Sequence, residues 1–136
     1  MNPIIRNILA VIGGIVIGSM VNMGIITLGP SIIPPPSGVD ISTPEGLKAG
    51  MHLFEPKHYI FPFLAHALGT LAGAFTAAML AAYKRMKIAL GIGIFFLLGG
   101  IASVVMLSSP MWYTVCDLLL AYMPMAILGG RLAVRK

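Results

Sequence analysis

The sequence predicts an all-α, polytopic membrane protein with four transmembrane helices. Of its 136 residues, 58% are hydrophobic and 10% are charged, whereas a soluble domain carries about 25% charged residues. A soluble fold of this size could not bury so much apolar surface. Apolar stretches occur four times, and each is close to the length of about 20 residues that a helix needs to cross a bilayer. They are residues 4–28, 58–82, 88–107 and 112–130.

The four spans are expected to form a single domain, residues 1–136. Spans two and three are joined by "YKRMK", and spans three and four by "SSPM". Connections this short require antiparallel neighbours. The first stretch exceeds the apolar core of a signal peptide, which is roughly 7–15 residues long, and no A-x-A cleavage site follows it. We therefore expect it to be retained as the first span.

The basic residues predict the orientation of the helices. The net charge is +5. The cations occur near the start of span one, between spans two and three, and at the end of the chain. Four antiparallel spans bring these regions to one side, which the positive-inside rule makes cytoplasmic. Both termini are thus expected in the cytoplasm, most consistently of a bacterial inner membrane, and the charge does not indicate nucleic-acid binding. The cations are Arg6, Lys84, Arg85, Lys87, Arg131, Arg135 and Lys136.

Residues 29–57 form the outer loop. "IIPPPSG" is expected to be extended, because proline restricts φ. The segment "STPEGLKAGMHLFEP" predicts a short helix, since Ser42 and Glu45 fit a capping box and Pro44 suits a first turn. We expect this helix to lie on the outer bilayer surface or to cap the bundle. Its apolar positions recur at helical spacing: Leu47, Met51 and Phe54.

Three polar residues inside the spans are the main functional signal. Asn22, His66 and Asp117 each lie roughly 9–13 Å from the outer end of a different span at 1.5 Å per residue. An aspartate at mid-helix costs roughly 2.5–3.5 kcal/mol by insertion scales, so these side chains are expected to meet inside the bundle. Small residues, which let helices approach closely, share their helical faces: Gly14, Gly18, Gly69 and Gly73.

Two interpretations of this cluster stay open. Chains of Asp, Glu and His side chains pass protons in pumps and transporters. The same three residues could instead hydrogen-bond one another and lock the helices together. Pro124, which follows Asp117 in span four, frees the carbonyl of Leu120 and predicts a kink there.

A second group of polar residues lies at the outer membrane boundary. His52, Glu55 and His58 could form a metal site or could be interfacial side chains in water, and their spacing matches no zinc motif. His66 could act alone as a haem ligand. No cofactor is predicted, and metal or haem stay alternatives. Cys116 cannot form an intrachain disulfide, as the sole cysteine, and is expected to be a buried apolar residue.

The function suggested by these patterns is a small proton- or ion-linked transporter or channel. An accessory or assembly subunit of a larger membrane complex is the alternative, with residues 43–55 as its docking surface, and a metal- or haem-binding redox protein is a second alternative. No catalytic residue is predicted, since the sequence contains no P-loop, G-x-S-x-G, H-E-x-x-H or C-x-x-C motif. Besides lipid, the expected partner is another copy of the chain or a membrane complex.

Overall fold

A computed structural model describes residues 1–135, so Lys136 of the basic tail lies outside the described residues. Within that range the chain is all-helical and contains no strand, as predicted. Short 3-10 turns at Met51–Leu53 and Pro56–Tyr59 accompany the α-helices. The helices are α1 (Pro3–Ile32), α2 (Pro44–Gly50), α3 (Ile60–Leu80), α4 (Arg85–Leu107), α5 (Met111–Leu120) and α6 (Met123–Val134).

Four helical segments are long and apolar enough to cross a membrane, which confirms the predicted number of spans within residues 1–135. The first helix is longer than predicted and continues through Pro30 to Ile32, so the outer loop begins later. The four segments are Pro3–Ile32, Pro56–Leu80, Arg85–Leu107 and Met111–Val134.

Glycine pairs bring α1 and α3 into direct backbone contact. A Cβ atom added to Gly14 would lie 2.6 Å from the carbonyl oxygen of Gly73, and one added to Gly18 would lie 2.7 Å from that of Gly69. The order of these pairs makes the helices antiparallel. Both predicted small-residue faces are therefore used within one chain, and the face of α1 is not free to pack against a second copy.

Alanine and glycine let α6 pack closely against α3 and α4. The core between these helices is built mainly from fully buried alanines, including Ala74, Ala77 and Ala126. A Cβ atom on Gly93 would lie 2.6 Å from Ala126 Cβ, and one on Gly129 would lie 2.7 Å from the Leu71 carbonyl oxygen. The helices thus contact one another through small side chains, while large apolar side chains such as Leu98 and Leu119 lie on the outside of the bundle.

The basic end of the bundle is joined by side chains of α1. Arg6 Nε donates to the Leu80 carbonyl at 2.7 Å. The side-chain Oδ1 of Asn7 accepts from the Ala82 N–H at 2.7 Å. These bonds satisfy backbone groups where α3 ends. They also place the start of α1 beside the turn that holds Lys84. The cytoplasmic orientation of this end remains the prediction of the positive-inside rule.

The outer loop folds onto the opposite end. Its helix α2 is capped by Thr43, whose hydroxyl accepts from the Gly46 N–H at 3.0 Å. The predicted capping role of Ser42 is wrong, because Ser42 instead donates its N–H to the Asp40 carboxylate at 2.9 Å. Hydrogen bonds from the hydroxyl and the N–H of Ser42 lower the pKa of Asp40.

The apolar face of the loop packs onto the bundle. Met51 and Tyr59 are buried with Tyr113 of α5, and Leu47 and Phe54 pack around them. The Tyr59 hydroxyl lies 3.1 Å from Met51 Sδ. The segment from α2 to Tyr59, which we call the outer cap, therefore covers the ends of α3 and α5. Its depth in the bilayer stays a prediction.

The fourth span is broken near its middle. Helix α5 ends at Leu120 and α6 begins at Met123, with Pro124 in the first turn of α6. Proline has no N–H to donate to the Leu120 carbonyl, so the predicted kink is confirmed. The break changes the direction in which Tyr122 points.

We predict different effects of one methyl group at two positions of α1. Gly14→Ala should destabilise the fold by about 1–3 kcal/mol, because the new Cβ has no space. Gly24→Ala is the control, since nothing lies within 4 Å of a Cβ there, and it should be neutral or stabilising. Unfolding in mixed detergent micelles, followed by circular dichroism, measures both. Equal stability of the two variants would contradict the α1–α3 contact.

Candidate functional site

Asp117 lies at the centre of a polar cluster in the outer half of the bundle. It is 2% exposed, and its Oδ1 atom lies 2.8 Å from Nδ1 of His66. The hydroxyl of Tyr122 donates to Oδ2 at 3.2 Å, and that of Tyr113 to Oδ1 at 3.5 Å. Both carboxylate oxygens thus have partners, which a buried charge requires.

Local structure explains how these partners converge. Tyr113 and Asp117 are four residues apart in α5 and share one helical face. Tyr122 would lie on a different face of a continuous helix, but the break between α5 and α6 returns its hydroxyl to Asp117. Its ring also stacks on the imidazole of His66, with centroids 5.7 Å apart. Gly100 of α4 accommodates the Tyr122 ring, because a Cβ atom there would collide with the hydroxyl.

His66 connects the buried carboxylate to open space. Its side chain is 21% exposed, and within residues 1–135 its Nε2 atom has no hydrogen-bond partner. The imidazole is held from the other side by Nδ1, which lies 2.8 Å from Asp117 Oδ1. Thr70, one turn further along α3, donates its hydroxyl to the His66 carbonyl at 2.7 Å and borders the same space.

Two pockets meet at His66. The first, of about 210 Å³, lies between α1, α3 and α4 and is bordered by Asn22, Thr70, Ser103 and Tyr122. The second, of about 220 Å³, lies beneath the outer cap and also reaches Tyr113 and Asp117. We call them the side pocket and the cap pocket. An imidazole lining both is placed to exchange a proton with water or a solute in either.

Asn22 is near the pair without being part of it. Its side chain makes no hydrogen bond within residues 1–135, and its Cβ atom is the neighbour that a Cβ on Gly69 would meet at 3.0 Å. The expected three-residue cluster is therefore a His66–Asp117 pair, with Asn22 across the side pocket. A functional role for these residues stays a prediction.

Two site residues were not singled out from the sequence. Tyr113 lies four residues before Asp117 in the same span, a spacing that places both side chains on one helical face and is a signal the sequence contains. Tyr122 had no such signal, because its position depends on the direction of the kink. The tyrosines are buried, with 7% and 2% of their surfaces exposed, as expected for rings that fill a helix junction and hold a carboxylate.

His58, at the outer boundary, has a structural role. The N–H of Glu55 donates to His58 Nδ1 at 2.8 Å, and His58 Nε2 lies 3.1 Å from the Pro34 carbonyl oxygen. Both ring nitrogens are thus used to join the two ends of the loop. His52 is exposed, and no group of three metal-ligating side chains forms within residues 1–135. The metal interpretation of His52, Glu55 and His58 does not fit this geometry.

Cys116 also differs from expectation. It lies on the outside of the bundle and is exposed, whereas the sequence interpretation placed it in the core. Asp117 takes the buried position on α5, and its chain neighbour necessarily points elsewhere. In a membrane, the Cys116 side chain would contact lipid.

Comparison with known proteins leaves the function to be argued from the chain itself. No family model, no curated protein and no solved structure matches this sequence or fold. A function for this protein is therefore inferred from the geometry of His66, Asp117 and the two pockets.

We predict that the two bonded histidines have opposite neutral tautomers. His66 should carry its proton on Nδ1, which faces the Asp117 carboxylate, whereas His58 should carry it on Nε2, because its Nδ1 accepts the Glu55 N–H. Nitrogen-15 chemical shifts of the purified protein at high pH distinguish the two forms. The variants His66→Gln and His58→Gln assign the signals. Identical tautomers would contradict at least one of these hydrogen-bond patterns.

Proposed function

We propose that the protein is a small proton-linked transporter or channel in which the His66–Asp117 pair binds the proton. The observation that carries the proposal is the 2.8 Å contact between His66 Nδ1 and the buried Asp117 carboxylate, combined with the position of His66 at both pockets. Buried Asp and His side chains at membrane depth are the groups that proton-moving proteins use.

The chemistry follows from the net charge of the pair. With neutral His66 and ionised Asp117 the pair carries one negative charge. A proton taken up at His66 Nε2 gives an imidazolium beside a carboxylate, and the net charge becomes zero. Removing net charge from an apolar interior is favourable, so proton binding would stabilise arrangements that close the site. Tyr113 and Tyr122 keep the carboxylate in place in both states.

The cap and side pockets provide different routes to the same imidazole. The cap pocket lies under Leu47, Met51 and Phe54 of the outer cap, and the side pocket lies beside Asn22 and Ser103. Access that alternates between the two would carry a proton past the His66–Asp117 pair. Polar groups around the side pocket could bind a small polar solute that moves with the proton.

A second candidate function rests on the outward face of the outer cap. While Leu47, Met51 and Phe54 pack inward, the outward face exposes three polar side chains: Lys48, His52 and Glu55. An accessory subunit of a larger membrane complex would use such a polar face to dock a partner. In that case the His66–Asp117 pair would lock the helices together rather than move protons.

Proton flux through liposomes tests the first proposal. We expect Asp117→Asn to reduce flux driven by a pH gradient to the level of empty liposomes, because a neutral amide cannot balance the charge of an imidazolium. His52→Gln is the matched control, since it alters an exposed histidine outside the site, and it should conduct like the wild-type protein. Thermal unfolding establishes that each variant folds. A folded Asp117→Asn variant with normal flux would overturn the proposal.

Capture of a partner tests the second candidate. If the outer cap docks a partner, charge reversal by Lys48→Glu should weaken co-purification of that partner, while Lys87→Glu, at the opposite end of the bundle, should not. The measurement is the amount of partner retained by tagged protein from solubilised membranes. Equal retention by both variants would rule out this face as the docking surface.

A further inference from the structure

Acidic side chains are confined to one half of the molecule. The four acidic residues lie in the outer loop or in the polar cluster: Asp40, Glu45, Glu55 and Asp117. Within the part of the chain that the structure describes, the charged side chains of the opposite end are all cationic. Within residues 1–135 the ion pairs are Lys57–Glu55 and His66–Asp117, so no cation of that end has an acidic partner. These cations are Arg6, Lys84, Arg85, Lys87, Arg131 and Arg135.

Part of this charge surrounds a shallow depression. The turn between α3 and α4 supplies Tyr83 and Lys84, and Val134 of α6 closes the far side. The first turn of α4 supplies Arg85, Met86 and Lys87. The depression has a volume of about 440 Å³. Its lining thus combines three cations with an aromatic ring and two apolar side chains.

The backbone and side chains of the turn place these cations around the edge of the depression. Lys84 has a left-handed conformation, with φ of 53°, immediately before α4 begins, and its ammonium lies 5.8 Å from the centroid of the Tyr83 ring. Tyr83, Lys84 and Lys87 are exposed. No side chain caps the N-terminus of α4, and the positive end of the helix dipole adds to the same field.

We propose that this depression binds the phosphodiester headgroup of an anionic phospholipid. It lies at the end of the apolar helices, where headgroups are found, and Tyr83 is typical of that depth. Phosphate oxygens would contact the cations, while Met86 and Val134 would contact the glycerol and the first acyl carbons. Basic pockets between helix ends bind acidic headgroups in this way. A soluble anion would match the charge but would leave the apolar part of the lining without a partner.

The proposed lipid site and the proposed proton site are separate. The depression is at the basic end of the bundle, whereas His66 and Asp117 lie near the outer cap. Lipid binding should therefore persist in Asp117→Asn, and loss of proton flux in that variant would say nothing about the headgroup site.

The test measures thermal stabilisation and retained lipid in detergent. Phosphatidylglycerol should raise the unfolding temperature and remain bound in native mass spectrometry, and phosphatidylcholine should do neither. High salt should reduce the stabilisation, because the contact is ionic. A stabilisation by both lipids alike, or one that salt does not change, would overturn the proposal even without a variant.

Matched double variants locate the site. Lys84→Gln combined with Lys87→Gln should abolish retention of phosphatidylglycerol, whereas Lys48→Gln combined with Lys57→Gln removes the same charge from the outer loop and should leave retention unchanged. Equal retention by the two double variants would overturn the assignment. Inorganic phosphate and polyglutamate are further probes, and stabilisation by either one equal to that by phosphatidylglycerol would assign the depression to a soluble anion or an acidic protein instead.

Discussion

A carboxylate among apolar helices needs partners on both oxygens, and the outer half of this bundle is arranged to supply them to Asp117. His66 comes from α3, Tyr113 from the preceding turn of α5, and Tyr122 from the break before α6. Each partner requires a particular helix rotation or bend. Loss of any one would leave part of a buried charge uncompensated, which costs more than the bond itself contributes.

The close packing elsewhere makes this convergence possible. Glycines let α1 approach α3, and alanines let α6 approach both α3 and α4. Helices in lipid gain little from hydrophobic burial and depend instead on van der Waals contact and hydrogen bonds. A tightly packed inner half therefore fixes the helix positions, and the looser outer half accommodates the pockets at His66.

The two ends of the molecule have different chemistry for related reasons. The outer loop carries both signs of charge and buries its apolar face on the bundle, so it closes the cap pocket as an integral part of the fold. The basic end contains no acidic residue to balance its cations. Its field is available to the anionic surface of a membrane, which would hold that end at a constant depth.

The sequence alone determined the helical class, the four apolar spans, the short hairpins and the depth shared by His66 and Asp117, because length, hydropathy and helical period are local properties. Only the tertiary structure decided that Tyr122 reaches Asp117 and that His58 is hydrogen-bonded to the Pro34 carbonyl. It also decided that Asn22 makes no contact with the His66–Asp117 pair by hydrogen bonding and that Cys116 points outward. These outcomes depend on the rotation of each helix and the direction of the kink in span four. Both are set by contacts between residues that lie far apart in the chain.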